Sequence, residues 1–189
     1  MGLTGKLVRQ VEIKSDGDAF HELFRDKPHH VSTMSPGNIH GVDLHEGDWG
    51  HVGSVISWNY THDTNHTISP PCPLVTSMVL ISMKVIGDML ALSSLGTILM
   101  YGKKKVIKEV IEAIDEENKS VTFKVIGGDV TELYRTFKIT VHVDTKGENN
   151  LVTWTFEYEK KSEDVEDPTT LMDFAINVSK DIESHHLKS

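Results

Sequence analysis

Three groups of residues carry types and spacings that could do chemistry. The first is Glu46-Gly47-Asp48-Trp49-Gly50-His51-Val52-Gly53, with three glycines in eight residues. Glycine-rich backbone of this kind can wrap a phosphate. Its side chains argue against that: no Gly-Lys-Ser/Thr ending follows, and Glu46 and Asp48 would repel an anion. A turn that shapes the mouth of a cavity is the better reading. The second group is the eleven histidines, among them the adjacent pairs His29-His30 and His185-His186. Neighbours on a helix point about 100° apart and rarely share one ion, so neither a metal site nor a cofactor is expected. The third is Cys72, the single cysteine. No Cys/His or Ser/His/Asp set forms around it, and no catalytic residue is assigned.

Non-covalent recognition is better supported. Alternation puts Ile56, Trp58 and Tyr60 on one face of a strand, and Val121, Phe123 and Val125 on one face of another. Two further strands contribute Phe137 and Ile139, and Val152, Trp154, Phe156 and Tyr158. Leu171, Phe174, Ala175 and Val178 form an apolar stripe at helical spacing. Together they make a candidate ligand-binding surface, although a solid core would show the same stripe. Arg135 shares the Phe137 face by simple alternation, and a buried guanidinium needs a partner. A ligand carboxylate or Glu109 would supply it.

The elements that must position these residues follow from the same patterns. Leu3–Lys14 reads as a first strand. Asp16 or Asp18 caps a short helix over Ala19–Arg25, and Pro28 opens a second short helix with Val31 and Met34 one turn apart. Strands are expected over Ile39–His45, Gly53–Tyr60, Lys105–Ile114, Ser120–Ile126, Glu132–Val143 and Leu151–Tyr158. The intervening turns have antiparallel hairpin spacing. A last helix has Asp167 as its cap and Pro168 at its first position. The fold class is α+β: a curved seven-stranded antiparallel sheet around one long C-terminal helix, with two short helices after the first strand.

That order matches the helix-grip fold, and the wording of the sequence is narrower still. Pro28-His29-His30-Val31, Ser35-Pro36-Gly37-Asn38-Ile39, Leu44–Gly50, Val55–Tyr60, Lys108–Ala113 and Val178–Ile182 resemble the major-latex-protein branch of the birch pollen allergen superfamily. The resemblance spans Met1–Asp63 and Gly102–Ser189. It implies a hydrophobic cavity between sheet and helix that binds small apolar or amphipathic molecules. It further implies a cytoplasmic protein associated with plant defence and stress responses. Some relatives in that superfamily catalyse condensations of plant metabolites or are described as nucleases, so an enzyme is the alternative.

Thr64–Tyr101 falls outside the resemblance. Its 38 residues hold two charges, Lys84 and Asp88, against 45 in the other 151, and four of the seven methionines. Joining Asp63 to Gly102 would leave an Asp-Gly turn between two strands, a strong hairpin signal. The segment is therefore read as an insertion at a hairpin tip in a single domain. A translated retained intron, a lid or partner-binding arm, and a membrane hairpin all fit its composition. Its uncharged runs are shorter than the ~18–20 residues a spanning helix needs.

The net charge of −9 disfavours nucleic acid and anionic membrane as partners. One cysteine and no legible signal peptide set the expectation of a reducing, cytoplasmic compartment. Lys6 stands where a myristoylation signal needs Ser or Thr. A monomer is expected, with association possible through the insertion.

Overall fold

The computed structural model of the protein describes residues 2–61, 104–146 and 149–188. The chain divides into two units, Met1–His62 with Lys103–Ser189, and Asp63–Gly102. The insertion reading falls on the second unit, which lies outside the described residues.

In the first unit β1 (Thr4–Ile13) is followed by α1 (Gly17–Asp26), a 3-10 turn at Pro28–His30 and α2 (Val31–Met34). Then come β2 (Ile39–Glu46), β3 (Val55–Thr61), β4 (Lys104–Asp115) and β5 (Ser120–Gly128). One helical turn, α3 (Val130–Leu133), precedes β6 (Tyr134–Lys146), β7 (Asn149–Lys160) and α4 (Thr169–His186). The strands form a seven-stranded sheet in the order β1-β7-β6-β5-β4-β3-β2, and every pair is antiparallel. The expected α+β fold, with its long C-terminal helix and short helices after the first strand, is the fold observed.

The first two strands are the two edges of the sheet. The chain must therefore cross from one edge to the other between them, and α1 and α2 make that crossing. Asp16 caps α1, its carboxylate accepting from the Asp18 N–H at 2.9 Å. α1 buries Phe20, Leu23 and Phe24 and packs on β5, β6 and β7. α2 packs against α4, where the Asp181 carboxylate accepts from the Ser35 hydroxyl at 2.6 Å and from Asn38 Nδ2 at 2.9 Å. α4 in turn lies on β1 and β7 and buries Met172, Ala175, Val178, Ser179 and Ile182. The stripe read from the sequence is the stripe that is buried, apart from half-buried Leu171 and Phe174.

Two details differ from the sequence reading. α4 starts one residue later than expected, with Pro168 in the cap position and no side-chain cap bond. Asp167 is otherwise engaged: it accepts from the Tyr158 hydroxyl and from Lys160, each at 2.7 Å, which ties β7 to the entry of the helix. The strand expected from Glu132 begins at Tyr134, because α3 takes up Val130–Leu133. The chain makes that turn after Gly128, where φ is +90° and a Cβ would stand 2.1 Å from the Val106 carbonyl oxygen. Only glycine fits there.

β3 and β4 pair with Thr61 opposite Lys104 and Tyr60 opposite Lys105. If Thr64–Tyr101 is removed and that register continues by one step, Asp63 and Gly102 are expected to form a two-residue turn. Deleting those residues is expected to give a folded protein with the same β3–β4 register and an equal or higher melting temperature. Amide exchange across Val55–Thr61 and a thermal scan check this; loss of protection in β3 would show that the register depends on the segment.

Candidate functional site

The concave face of the sheet and the inner side of α4 line an apolar cavity of about 80 Å³. Every layer of the fold contributes a wall. β3 supplies Trp58 and Tyr60, β4 Ile107 and Glu109, β5 Phe123, β6 Ile139, and β7 Trp154 and Phe156. α4 contributes Leu171, Phe174, Ala175 and Val178, and Phe24 of α1 and Ile39 of β2 add to the lining. Aromatic contacts set its shape. Phe24 meets Trp154 edge-on with ring centroids 5.3 Å apart, and Tyr60 tilts against Phe174 at 5.2 Å. Such pairs hold rings in place beyond what area burial alone would do.

Two tryptophan N–H groups are buried here, and each has found an acceptor. Trp154 Nε1 donates to the Ser179 hydroxyl at 2.9 Å, and that hydroxyl donates to the Ala175 carbonyl one turn back in α4. Trp58 Nε1 donates to Glu109 Oε2 at 2.9 Å. Glu109 is 3% exposed and stands between Ile56 on β3 and Val125 on β5. Burial pushes its carboxyl from 4.5 up to about 8, with the Trp58 bond opposing in part. Removing a carboxylate from water costs more than one N–H donor returns. The acid is therefore neutral at pH 7. Burial also raises the Tyr60 phenol, with Asp129 and Glu109 adding to it, so that group stays protonated.

Ten of the residues assigned from the sequence line this cavity: Trp58, Tyr60, Phe123, Ile139, Trp154, Phe156, Leu171, Phe174, Ala175 and Val178. Six others, Ile56, Val121, Val125, Phe137, Val152 and Tyr158, are buried on the same face but make solid core instead. Val121 opposes Val141 and Val152 opposes Val143, so those positions are filled by each other. Phe137 and Tyr158 pack with Tyr134 at centroid distances of 5.2 and 5.6 Å and fill the space beside Phe156.

Arg135 is a correction. Its side chain is 58% exposed and lies 3.5 Å from Glu159, on the outside of the sheet. A register irregularity between Tyr134 and Thr136 leaves Arg135 and Thr136 both exposed between buried Tyr134 and buried Phe137. The extra residue of such a bulge breaks the two-residue period on which the assignment rested. Glu109 accordingly has Trp58, not Arg135, as its partner.

Sequence reasoning missed Phe24, Ile39 and Ile107 as lining, and Glu109 as the polar group of the cavity. The signal for Glu109 was present, since Ile107, Glu109 and Ile111 fall on one face by alternation. The glycine-rich loop does not shape the cavity: none of residues 46–53 lines it. The loop closes on itself, with the Asp48 N–H donating to Ser54 Oγ and Ser54 Oγ donating to the Asp48 carbonyl. A Cβ at Gly50 would stand 2.2 Å from Asp26 Oδ1. Trp49 packs on His29 at 4.7 Å. Among the described residues no group of three His, Cys, Asp or Glu could hold a metal ion, and no helix is long and apolar enough to cross a membrane.

Residues 2–70 and 94–189 match the pathogenesis-related protein Bet v 1 family. The chain is 42% identical over 187 residues to MLP-like protein 28 of Arabidopsis thaliana, across 98% of this chain and 44% of that protein. It thus spans less than half the length of that relative. The crystal structure of ginseng major latex-like protein 151 from Panax ginseng superposes with a TM-score of 0.77 at 47% identity, covering 98% of this chain and 99% of that one. Norcoclaurine synthase from Thalictrum flavum shares the fold at 16% identity, with a TM-score of 0.61 over 98% of this chain and 88% of that one.

Glu109 gives a pH test of this geometry. Above about pH 4.5 the unfolded chain loses the proton, while the folded protein keeps it to about pH 8, so the cost to folding grows across that window. Glu109→Gln keeps an acceptor for Trp58 and removes that cost. The variant is expected to match the parent near pH 4.5 and to exceed it near pH 7.5 by on the order of 3 kcal/mol. Urea unfolding of both proteins at the two pH values measures it. A pH-independent difference would mean that the carboxyl is ionised or hydrated.

Proposed function

This chain belongs to the pathogenesis-related protein Bet v 1 family, and from that premise we propose that it binds and carries small apolar or amphipathic metabolites in its internal cavity. The observation that carries the reading is the cavity itself. Among the described residues its walls come from six strands and two helices, and they are apolar except at Glu109 and Tyr60. A folded chain gains stability by filling such space with its own side chains. A hollow ringed by large aromatics that could pack inward marks a place kept open for something else.

In this reading the binding domain is formed by residues 1–63 and 102–189, and Thr64–Tyr101 is an addition to it. The protein acts as a monomer in the plant cytoplasm, in defence or stress responses. These points rest on the family likeness and on the sequence features above. The enzyme reading draws on one observation, the neutral carboxyl of Glu109 inside the cavity. Acid–base catalysis in an apolar site needs a second placed group to take the opposing proton or charge. Among the described residues no titratable lining side chain other than Tyr60 stands beside it.

Filling the cavity tests the proposal without opening a void. Ala175 faces it from α4 at 8% exposure. Ala175→Phe is expected to lower the affinity for a fluorescent apolar probe by at least ~10-fold with the melting temperature held within a few degrees. Unchanged probe affinity in a folded variant would place binding elsewhere. The exposed Arg135 supplies a control: Arg135→Met is expected to change the binding of neither fatty acids nor matched alcohols. Incubation with aldehyde and amine substrates and a search for turnover separates carriage from catalysis.

A further inference from the structure

Glu109 gives the cavity a direction that its apolar walls do not. Its Oε2 accepts from Trp58 Nε1, and its Oε1 makes no hydrogen bond to a described residue. The side chain is a wall of the cavity, opposite the ring and aliphatic surfaces of α4. Among the described residues no other carboxylate, amine or guanidinium belongs to the lining. The two tryptophan N–H groups are already committed, one to Glu109 and one to Ser179.

A ligand that enters must satisfy the free oxygen of this carboxyl or leave it unmatched. Three kinds of polar end could meet it. An ammonium would need Glu109 ionised, which puts two charges among aromatic and aliphatic side chains with one N–H for support. The desolvation cost of such a pair tends to exceed its attraction. A carboxylate would face an acid in a medium that disfavours any anion. A neutral oxygen acceptor needs no charge at all.

We propose that the cavity takes neutral ligands whose apolar skeleton ends in one hydrogen-bond-accepting oxygen, a ketone, aldehyde or ether, and that the Glu109 carboxyl donates to that oxygen. Trp58 holds the carboxyl in place by occupying its other oxygen. The burial that keeps Glu109 neutral makes the donor pH-dependent: it is present below about pH 8 and lost above it. Among the described residues the groups facing Glu109 do not titrate across that change. From β3 there is Trp58 and the protonated Tyr60; β5 offers Phe123 and Val125; and α4 offers Leu171, Phe174, Ala175 and Val178.

The proposal rests on the cavity being a ligand site, and the test separates the two. Acetophenone, ethylbenzene and phenethylamine share one skeleton and differ in the polar end. Their binding to the full chain is measured by calorimetry at about pH 6.5 and about pH 9.5, for the parent, Glu109→Gln and Glu109→Leu. The parent is expected to prefer the ketone over the hydrocarbon roughly tenfold at the lower pH and to lose that preference at the higher. Glu109→Gln, whose amide also donates, is expected to keep the preference at both. Glu109→Leu is expected to bind both alike. The infrared carbonyl stretch of bound acetophenone should lie lower in the parent than in Glu109→Leu.

Ethylbenzene bound with no ketone advantage in the parent would overturn this inference and leave the carrier reading standing. Phenethylamine bound tightest, with affinity rising with pH, would overturn it in favour of a cation site. If none of the three binds, the cavity is not a ligand site, and the carrier reading falls along with the inference.

Discussion

A single helix cannot cover seven strands. α4 has 18 residues, so it is about 27 Å long and about 10 Å across. Seven strands at ~4.8 Å spacing make a sheet about 29 Å wide. The apolar face of the sheet is therefore much larger than the stripe that must cap it. Curvature brings the edges up around the helix, and α1 and α2 crossing from β1 to β2 cover one end. What is left over in the middle is the cavity. The hollow follows from the ratio of one helix to one sheet, and the large rings of Trp58, Phe123, Trp154 and Phe156 narrow it without filling it.

Keeping such a space open places a demand on the few polar groups near it. A Trp indole buried in an apolar wall must find an acceptor or lose stability. The protein meets this twice, by different means. Trp154 uses a serine of α4, whose own proton goes back to the helix backbone, so that bond also fixes the helix over β7. Trp58 uses Glu109, a neighbour on the adjacent strand. A serine or amide there would have met the same need without the cost of a buried acid. A carboxyl has two oxygens, and the second remains available to the cavity. The residue that satisfies the wall is thus also the one that can recognise a ligand.

The elements that were legible in the sequence were those with long unbroken periods. Val152, Trp154, Phe156 and Tyr158 alternate without interruption, and β7 is paired on both sides from Asn150 to Glu159. The stripe of α4 was equally plain. Misreadings came where a local event broke the period. The bulge before Phe137 turned Arg135 outward. A single helical turn replaced the start of β6. Asp167, which has the residue type of a helix cap, was drawn to Tyr158 and Lys160 by contacts that only the folded chain creates. The division between lining and solid core was not legible at all. Phe137 and Phe156 lie in one aromatic cluster, yet only Phe156 reaches the cavity, because the filler, Tyr134, comes from beyond the bulge.

Shared architecture constrains function here less than one side chain does. Norcoclaurine synthase and this chain have the same layers at 16% identity, and that likeness extends to the fold alone. The fold dictates that a hollow exists; the inward residues of β3 and β4 dictate what it can hold. In this chain those are Trp58, Tyr60, Ile107 and Glu109. Replace Glu109 by an aliphatic residue and the walls would be apolar but for the Tyr60 phenol and an unmatched indole N–H, discriminating little among ligands beyond size. With it, on the proposed reading, neutral molecules are sorted by whether they bring an oxygen to one defined point on the wall. A buried acid is an expensive way to achieve that, since its neutral form must be held against solution pH. Its presence where Trp58 anchors one of its oxygens is the strongest argument for the selectivity proposed above.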